Sequence, residues 1–175
     1  MDTNVGGVLS DVGDPLLRRV AYPAAAQGSG AIIEQLYRAH RVRLMHLAAA
    51  ITLDRELAEE VVQDAFIGLQ RNLESVDNPA GYLQRSVVHR SISVLRRRRV
   101  ASRSPSPVAS ILISPAVDET WSMVTRLPAR ERAVVILRFW EDLSESSIAT
   151  TLGWPTGTVK STLHRALNRL REELR

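Results

Sequence analysis

Glycine and proline break regular structure, so their placement divides this chain before any residue is assigned to an element. Five of the nine glycines fall within the first 30 residues, and Pro105, Pro107 and Pro115 cluster in ASRSPSPVASILISPAV. Between these stretches, residues 31–99 hold only Gly68, Pro79 and Gly81 as breakers, and residues 118–175 hold only Pro128, Gly153, Pro155 and Gly157. The pattern predicts a disordered tail over 1–29, a compact unit over 30–99, a linker over 100–117 and a second unit over 118–175. A chain of 175 residues is long enough for two such small domains.

Both units read as helices, and no run of strict alternation argues for a sheet, so the expected fold class is all-α. In AIIEQLYRAHRVRLMHLAAAI, Ile33, Leu36, Leu44, Leu47, Ala48 and Ile51 share one side, with a gap near His40, while Arg38, Arg41 and Arg43 lie elsewhere. Asp54 is a candidate cap for a second helix whose stripe is Leu57, Val61, Val62, Ala65, Phe66 and Leu69. Asn78 and Pro79 signal a third helix, with Leu83, Val87, Val94 and Leu95 as its buried side and Arg85, His89 and Arg96 on another face. In the second unit a short helix precedes Pro128, a buried helix carries Val134, Val135, Ile136 and Leu137, and a third begins at Ser144. Ala149, Gly153 and Val159 then have the spacing of a helix-turn-helix: a small residue at the crossing, a turn and a core contact. Thr158, Lys160, Ser161, His164 and Arg165 present polar and cationic groups on its second helix, as a DNA groove requires.

Composition removes several classes of function. There is no cysteine, which excludes disulfides, thiol catalysis and zinc-cysteine sites. Apolar runs are only a few residues long against the roughly 20 a membrane helix needs, and the leading MDTNVGGVLSDVGD lacks the basic-then-apolar order of a signal peptide. The expected location is the cytoplasm, without membrane insertion. The net charge is +4, and its densest point is Arg96, Arg97, Arg98 and Arg99, where nucleic-acid backbone contact is expected. Glu56, Glu60 and Asp64 form a ladder at i, i+4 and i+8, open to three readings: a divalent-ion site, a solvated face, or a partner surface that takes in Glu59 and Gln63. The four histidines show no ligand or triad spacing, and neither a phosphate-binding loop nor a nucleophile motif occurs, so no catalytic residue, metal or cofactor is expected.

Three segments together resemble the extracytoplasmic-function class of bacterial RNA polymerase sigma factors, which consist of regions 2 and 4 without region 3. LDRELAEEVVQDAFIGL resembles region 2.2, NPAGYLQRSVVHRSISVLRRRR resembles regions 2.3 and 2.4, and residues 127–174 are similar to region 4. The arrangement is most like an actinobacterial sigma-E-like subfamily. The resemblance implies two helical domains on a flexible linker, core RNA polymerase and promoter DNA as partners, and commonly an anti-sigma factor. It implies that Glu59, Glu60, Gln63 and Asp64 grip the clamp helices of the beta-prime subunit, and that region 4 meets the beta flap. Glu74, Ser75, Val76, Asp77 and Asn78 match the loop that captures a flipped minus-ten base, and Arg85, His89 and Arg96 the surface that melts and reads that element. Thr158, Lys160, Ser161 and Arg165 match readers of the minus-thirty-five element. His89 stands where the family usually has Asn, Ser93 where Asp is frequent, Gln70 where an aromatic is common and Thr162 where Arg is often found. His89 and Thr162 alter base-reading hydrogen bonds, hence the promoter sequence, and leave the fold alone.

The rival readings are a free-standing helix-turn-helix regulator, which has no need of an acidic polymerase-binding helix, and a metal-dependent enzyme built on Glu56, Glu60 and Asp64. Binding of promoter duplex without polymerase would favour the first, and a melting temperature unchanged by metal titration would dismiss the second. The linker's 18 residues reach roughly 59 to 65 Å fully extended, and the apolar Val108–Ile113 stretch is expected to lie against polymerase. Deleting Ala101–Val108 leaves ten residues, a reach of roughly 33 to 36 Å. That deletion is expected to abolish transcription while melting curves show both domains folded; full activity at normal promoter spacing would exclude simultaneous two-point binding.

Overall fold

The computed structural model describes residues 28–101 and 118–174; of the tail expected over 1–29 and the linker expected over 100–117, residues 1–27 and 102–117 lie outside the described residues, while Ser29 already belongs to the first helix and residues 100 and 101 to the third. The described residues form seven α-helices and one single-turn 3-10 helix, with no strand among them. Three helices come first: α1 (Ser29–Thr52), α2 (Arg55–Asn72) and α3 (Pro79–Ala101). Their starts follow local chemistry. Asp54 Oδ1 accepts from Leu57 N at 3.1 Å, and Asn78 Oδ1 from Gly81 N at 2.9 Å, each satisfying a first-turn amide that has no partner within its helix.

The apolar stripes face inward as their spacing predicts. Leu36, Leu44, Leu47, Ala48 and Ile51 of α1 are buried, as is the whole α2 stripe from Leu57 to Leu69. Ala48, Ala58 and Ala65 have no exposed surface, and side chains this small let helix axes approach closely. Gly68 meets the same need, since a Cβ there would come within 2.9 Å of Tyr82 Oη.

The second group is α4 (Asp118–Arg126), α5 (Ala129–Phe139), α6 (Glu145–Leu152) and α7 (Thr156–Glu173). Pro128 directly precedes α5, and Ser144 caps α6, its Oγ accepting from Ser147 N at 3.1 Å. Ile148, Ala149, Leu152, Val159, Leu163 and Ala166 bury the crossing of α6 and α7. Between these helices Gly153 adopts φ +62°, while Trp154 N donates to Ala149 O at 3.0 Å and Gly153 N to Thr150 O at 3.4 Å. This is the paired 6→1 and 5→2 closure of a helix ending in a left-handed residue.

The two groups are packed on each other, with α5 against α1 and α3, and α6 against α3. The expected surface of α3 is corrected accordingly. Leu83 and Val87 are fully buried, but Val94 and Leu95 are only partly so, and a second row, Gln84, Val88 and Ser91, is buried as well. Gln84 Nε2 donates to Glu141 Oε2 at 3.2 Å, so this second row faces the C-terminal group. A helix with partners on two sides carries two inward rows, and one-sided amphipathicity describes only one of them. Arg43 likewise reaches across and bonds Glu141 instead of standing in solvent.

Gly153→Ala tests the turn. A Cβ at this position meets nothing within 4 Å, so the cost is the left-handed backbone alone. Urea unfolding is expected to show a loss of about 1 kcal/mol for Gly153→Ala, and a smaller loss for Gly153→Asn, because Asn tolerates this region better.

Candidate functional site

The acidic strip on α2 is exposed at Glu60, Gln63 and Asp64 and half-exposed at Glu59. Arg55 Nε lies 3.4 Å from Glu59 Oε1, and Arg90 Nη1 of α3 donates to Asp64 Oδ2 at 2.8 Å. Among the described residues no three His, Asp or Glu side chains converge to hold a metal ion, so Glu56, Glu60 and Asp64 stand as separate carboxylates along a helix. Ile67, one turn beyond Gln63 and Asp64, is 46% exposed. Sequence reasoning placed it neither in the buried stripe nor in the acidic strip. Its displacement from the Leu57–Leu69 stripe is the signal that separates it.

After α2 the chain makes the 3-10 turn Leu73–Ser75, with Val76 N donating to Leu73 O at 3.3 Å and Ser75 Oγ to Asn72 O at 2.9 Å. Val76 tucks against the core, while Glu74, Ser75 and Asp77 face solvent and Asn78 caps α3. The loop is thus anchored at both ends with its polar groups outward. Arg85, His89 and Arg96 are exposed along α3.

On α7, Thr158, Lys160, Ser161 and Arg165 are all exposed. Ser161 Oγ donates to Thr158 O at 3.1 Å, Lys160 Nζ lies 3.8 Å from Glu145 Oε2, and Arg165 Nη2 donates to Thr162 Oγ1 at 3.2 Å. Thr162 itself is buried, and so supports Arg165 from below. The packing of the groups brings part of each face to one cleft and leaves Arg85, Lys160 and Ser161 outside it. His89 and Arg96 line the same cleft as Thr158 and Arg165, about 620 Å³ in volume, with Arg130 stacked 4.6 Å over the Trp154 ring on its wall.

The junction beside this cleft is polar and buried. Arg132, 5% exposed, donates from Nε and Nη2 to Ile51 O at 3.0 and 2.6 Å, and from Nη1 to Thr125 O and Leu127 O at 3.0 and 2.9 Å. Burial lowers its pKa to about 10, which leaves the guanidinium charged at neutral pH. Glu141 Oε2 accepts from both Arg43 and Gln84. Near Arg43, His40 is held below the usual histidine range, first by burial and then by that arginine's charge.

A second feature lies on the C-terminal group alone. Trp121, Val124, Ile136, Phe139, Trp140 and Leu167 line an apolar groove of about 380 Å³ between α4, α5 and α7. Phe139 and Trp140 are 62% and 54% exposed, and the Trp121 and Trp140 rings sit 5.9 Å apart. Neither aromatic was read as a site, although an FW pair ending an otherwise buried helix was the available signal.

Both helical groups are similar to known families. Residues 36–100 match the family model "Sigma-70 region 2", and residues 118–170 match "Sigma-70, region 4". The RNA polymerase sigma-E factor of Streptomyces coelicolor is 32% identical over 153 residues, covering 81% of this chain and 85% of that protein. The ECF RNA polymerase sigma factor SigE of Mycolicibacterium smegmatis is 29% identical over 156 residues, covering 81% of this chain and 61% of that protein. Among solved structures, the sigma factor RpoE in complex with the anti-sigma factor NepR from Bartonella quintana superposes with a TM-score of 0.62 at 22% identity. That fit covers 82% of this chain and 96% of RpoE, and supports the fold. With both regions present in order, the S. coelicolor relative 32% identical over most of both chains, and the ECF RNA polymerase sigma factor SigM of Mycobacterium tuberculosis 30% identical over 84% of this chain and 79% of that protein, the protein belongs to the extracytoplasmic-function class of RNA polymerase sigma factors.

Proposed function

We infer that the chain is an alternative sigma factor, a specificity subunit that binds core RNA polymerase and directs initiation at promoters with minus-ten and minus-thirty-five elements. The observation that carries this is the combination of an exposed helix-turn-helix face with an exposed acidic strip on a separate helix, in a chain matching both regions. A free-standing regulator uses only the first. Catalysis belongs to the polymerase in this reading; no helix among the described residues is long and apolar enough to cross a membrane, and cytoplasmic action follows from the role.

The finer roles are proposals. Glu59, Glu60, Gln63 and Asp64 bind the beta-prime clamp helices, with Ile67 adding an apolar contact at the strip's end. An acidic rim around one apolar side chain suits a basic helical partner, where charge sets orientation and the apolar contact contributes burial. Glu74–Asn78 takes a flipped base, while Arg85, His89 and Arg96 hold the opened minus-ten strand. Thr158, Lys160, Ser161 and Arg165 read the minus-thirty-five duplex. The aromatic groove of α4, α5 and α7 receives the beta flap. An anti-sigma factor is proposed as a further partner, on the strength of the neighbour RpoE, solved in complex with the anti-sigma factor NepR.

Transcription reconstituted with purified core polymerase tests the reading as a whole. Asp64→Arg is expected to abolish core binding in a pull-down or fluorescence titration. The Asp64 carboxylate is half-exposed, so losing its pair with Arg90 costs about 0 to 1 kcal/mol of stability, and melting curves should stay close to wild type. Unchanged core affinity would remove the clamp-helix assignment. Arg165→Ala is expected to weaken minus-thirty-five recognition by about 1 to 3 kcal/mol if the guanidinium meets a base edge. A loss equal on every minus-thirty-five sequence would reduce its role to phosphate contact.

A further inference from the structure

The aromatic groove of α4, α5 and α7 is covered by no described helix. Apart from Thr120 its walls are apolar, and Phe139 and Trp140 on its edge stand 62% and 54% exposed. Covering such a surface is favourable by roughly 25 cal/mol per Å² of apolar area, and a volume of about 380 Å³ suits a few apolar side chains of one short segment. We propose that in the free chain this groove is filled by the protein's own residues 15–22, on the N-terminal side of α1, and that the beta flap displaces them. The displacement rests on the sigma-factor reading above, and the docking does not.

The segment PLLRRVAY follows Asp14 and precedes Pro23. Aspartate before proline is a helix start signal and the second proline a stop, so the spacing predicts about two turns of helix. On such a helix Leu16, Leu17, Val20 and Ala21 fall on one side and Arg18 and Arg19 on the other, the pattern of a short amphipathic helix laid in an apolar groove. A helix this short is unstable alone in water, and burial of its apolar side supplies the missing free energy. The other apolar stretch outside the described residues, 108–113, has no charge, and Val108, Ile111, Leu112 and Ile113 spread round most of a helix. It lacks the polar back that a docked helix turns to water.

The tail is long enough to arrive. Arg43 of α1 bonds Glu141, the residue after Trp140, so the Trp140 end of the groove lies near Arg43. From there α1 runs back to Ser29, about 21 Å at 1.5 Å per residue, and the groove lies beyond α5 by one helix diameter of about 10 to 12 Å. That path, about 31 to 33 Å, compares with a reach of about 40 to 43 Å for the chain from Leu16 to Gly28. Relaxed, the same stretch averages about 17 to 21 Å, so only modest extension is required. The covalent tether also gives the segment an effective concentration of the order of mM, at which even a weak apolar contact is populated.

The chain has no cysteine and three tryptophans, Trp121 and Trp140 in the groove and Trp154 in the cleft, so one nitroxide can be read at three sites. A label on Gly13→Cys in the full chain should broaden the indole N–H signals of Trp121 and Trp140 roughly twofold or more beyond that of Trp154, measured against the reduced label. Leu16→Asp with Leu17→Asp should abolish that difference while circular dichroism shows the helices retained. Broadening of neither groove tryptophan, or equal broadening of all three, would overturn the proposal, and so would a difference that survives the double substitution. Mixing 15N-labelled chain without nitroxide and unlabelled chain with it tests for a second copy; groove broadening in the mixture as strong as within one chain would overturn the proposal too. Freed of its competitor, the Leu16→Asp, Leu17→Asp chain should bind core polymerase a few-fold more tightly than wild type. Unchanged core affinity would overturn the displacement. Failure of either chain to bind core polymerase at all would refute the sigma reading instead, and the free-chain spectra judge the docking in both cases.

Discussion

One buried guanidinium holds the arrangement together. Arg132 sits where the C-terminal ends of α1 and α4 converge, and its hydrogen bonds go to carbonyls at those ends. The last four carbonyls of any helix lack partners within it, and the aligned peptide dipoles leave that end negative. Two such ends brought together would repel each other and leave buried acceptors unsatisfied; a planar cation with several fixed N–H donors resolves both problems at once. The left-handed turn at Leu53, φ 58°, stops α1 and directs the chain away, so that Ile51 O stays open to Arg132. Without Arg132 the carbonyls of Ile51, Thr125 and Leu127 would lose these donors at a junction that otherwise rests on apolar packing and on Glu141.

The surfaces follow from that geometry. Because α5 lies against α1 and α3, its far side, with α4 and α7, is free to form the aromatic groove, and α2 keeps its acidic strip exposed on a face that no other described helix covers. The cleft between the groups takes His89 and Arg96 from α3 and Thr158 and Arg165 from α7, while Arg85, Lys160 and Ser161 stay exposed outside it.

Much of this was legible in the sequence wherever a single residue or a periodic row carries the information. Asp54, Asn78 and Ser144 bond the amides that their positions predict, and the α2 stripe is buried to the last member. Gly153 has the positive φ that the helix-turn-helix spacing calls for. The reading fell short where a residue's environment comes from a distant part of the chain. Val94 and Leu95 look like core and are only half-covered, whereas Gln84, Ser91, Glu131 and Arg132 look like surface and are buried. Polar residues on a helix are assigned to solvent by pattern, and only a partner across a junction makes their burial favourable.

The same division applies to function. The order of the two helical groups, the acidic strip and the cationic row on α7 were determined by the sequence alone, because each is a property of neighbouring residues on one helix and survives any arrangement of the helices. Which residues of those faces border the cleft, and that Arg43, Gln84 and Glu141 meet at all, was decided only by the tertiary structure. Those residues lie 41 to 98 positions apart in the chain. Contacts at such separations depend on how two packed groups sit on each other, a choice among many placements of similar burial, and here it is settled by a few directional hydrogen bonds whose geometry no local pattern encodes.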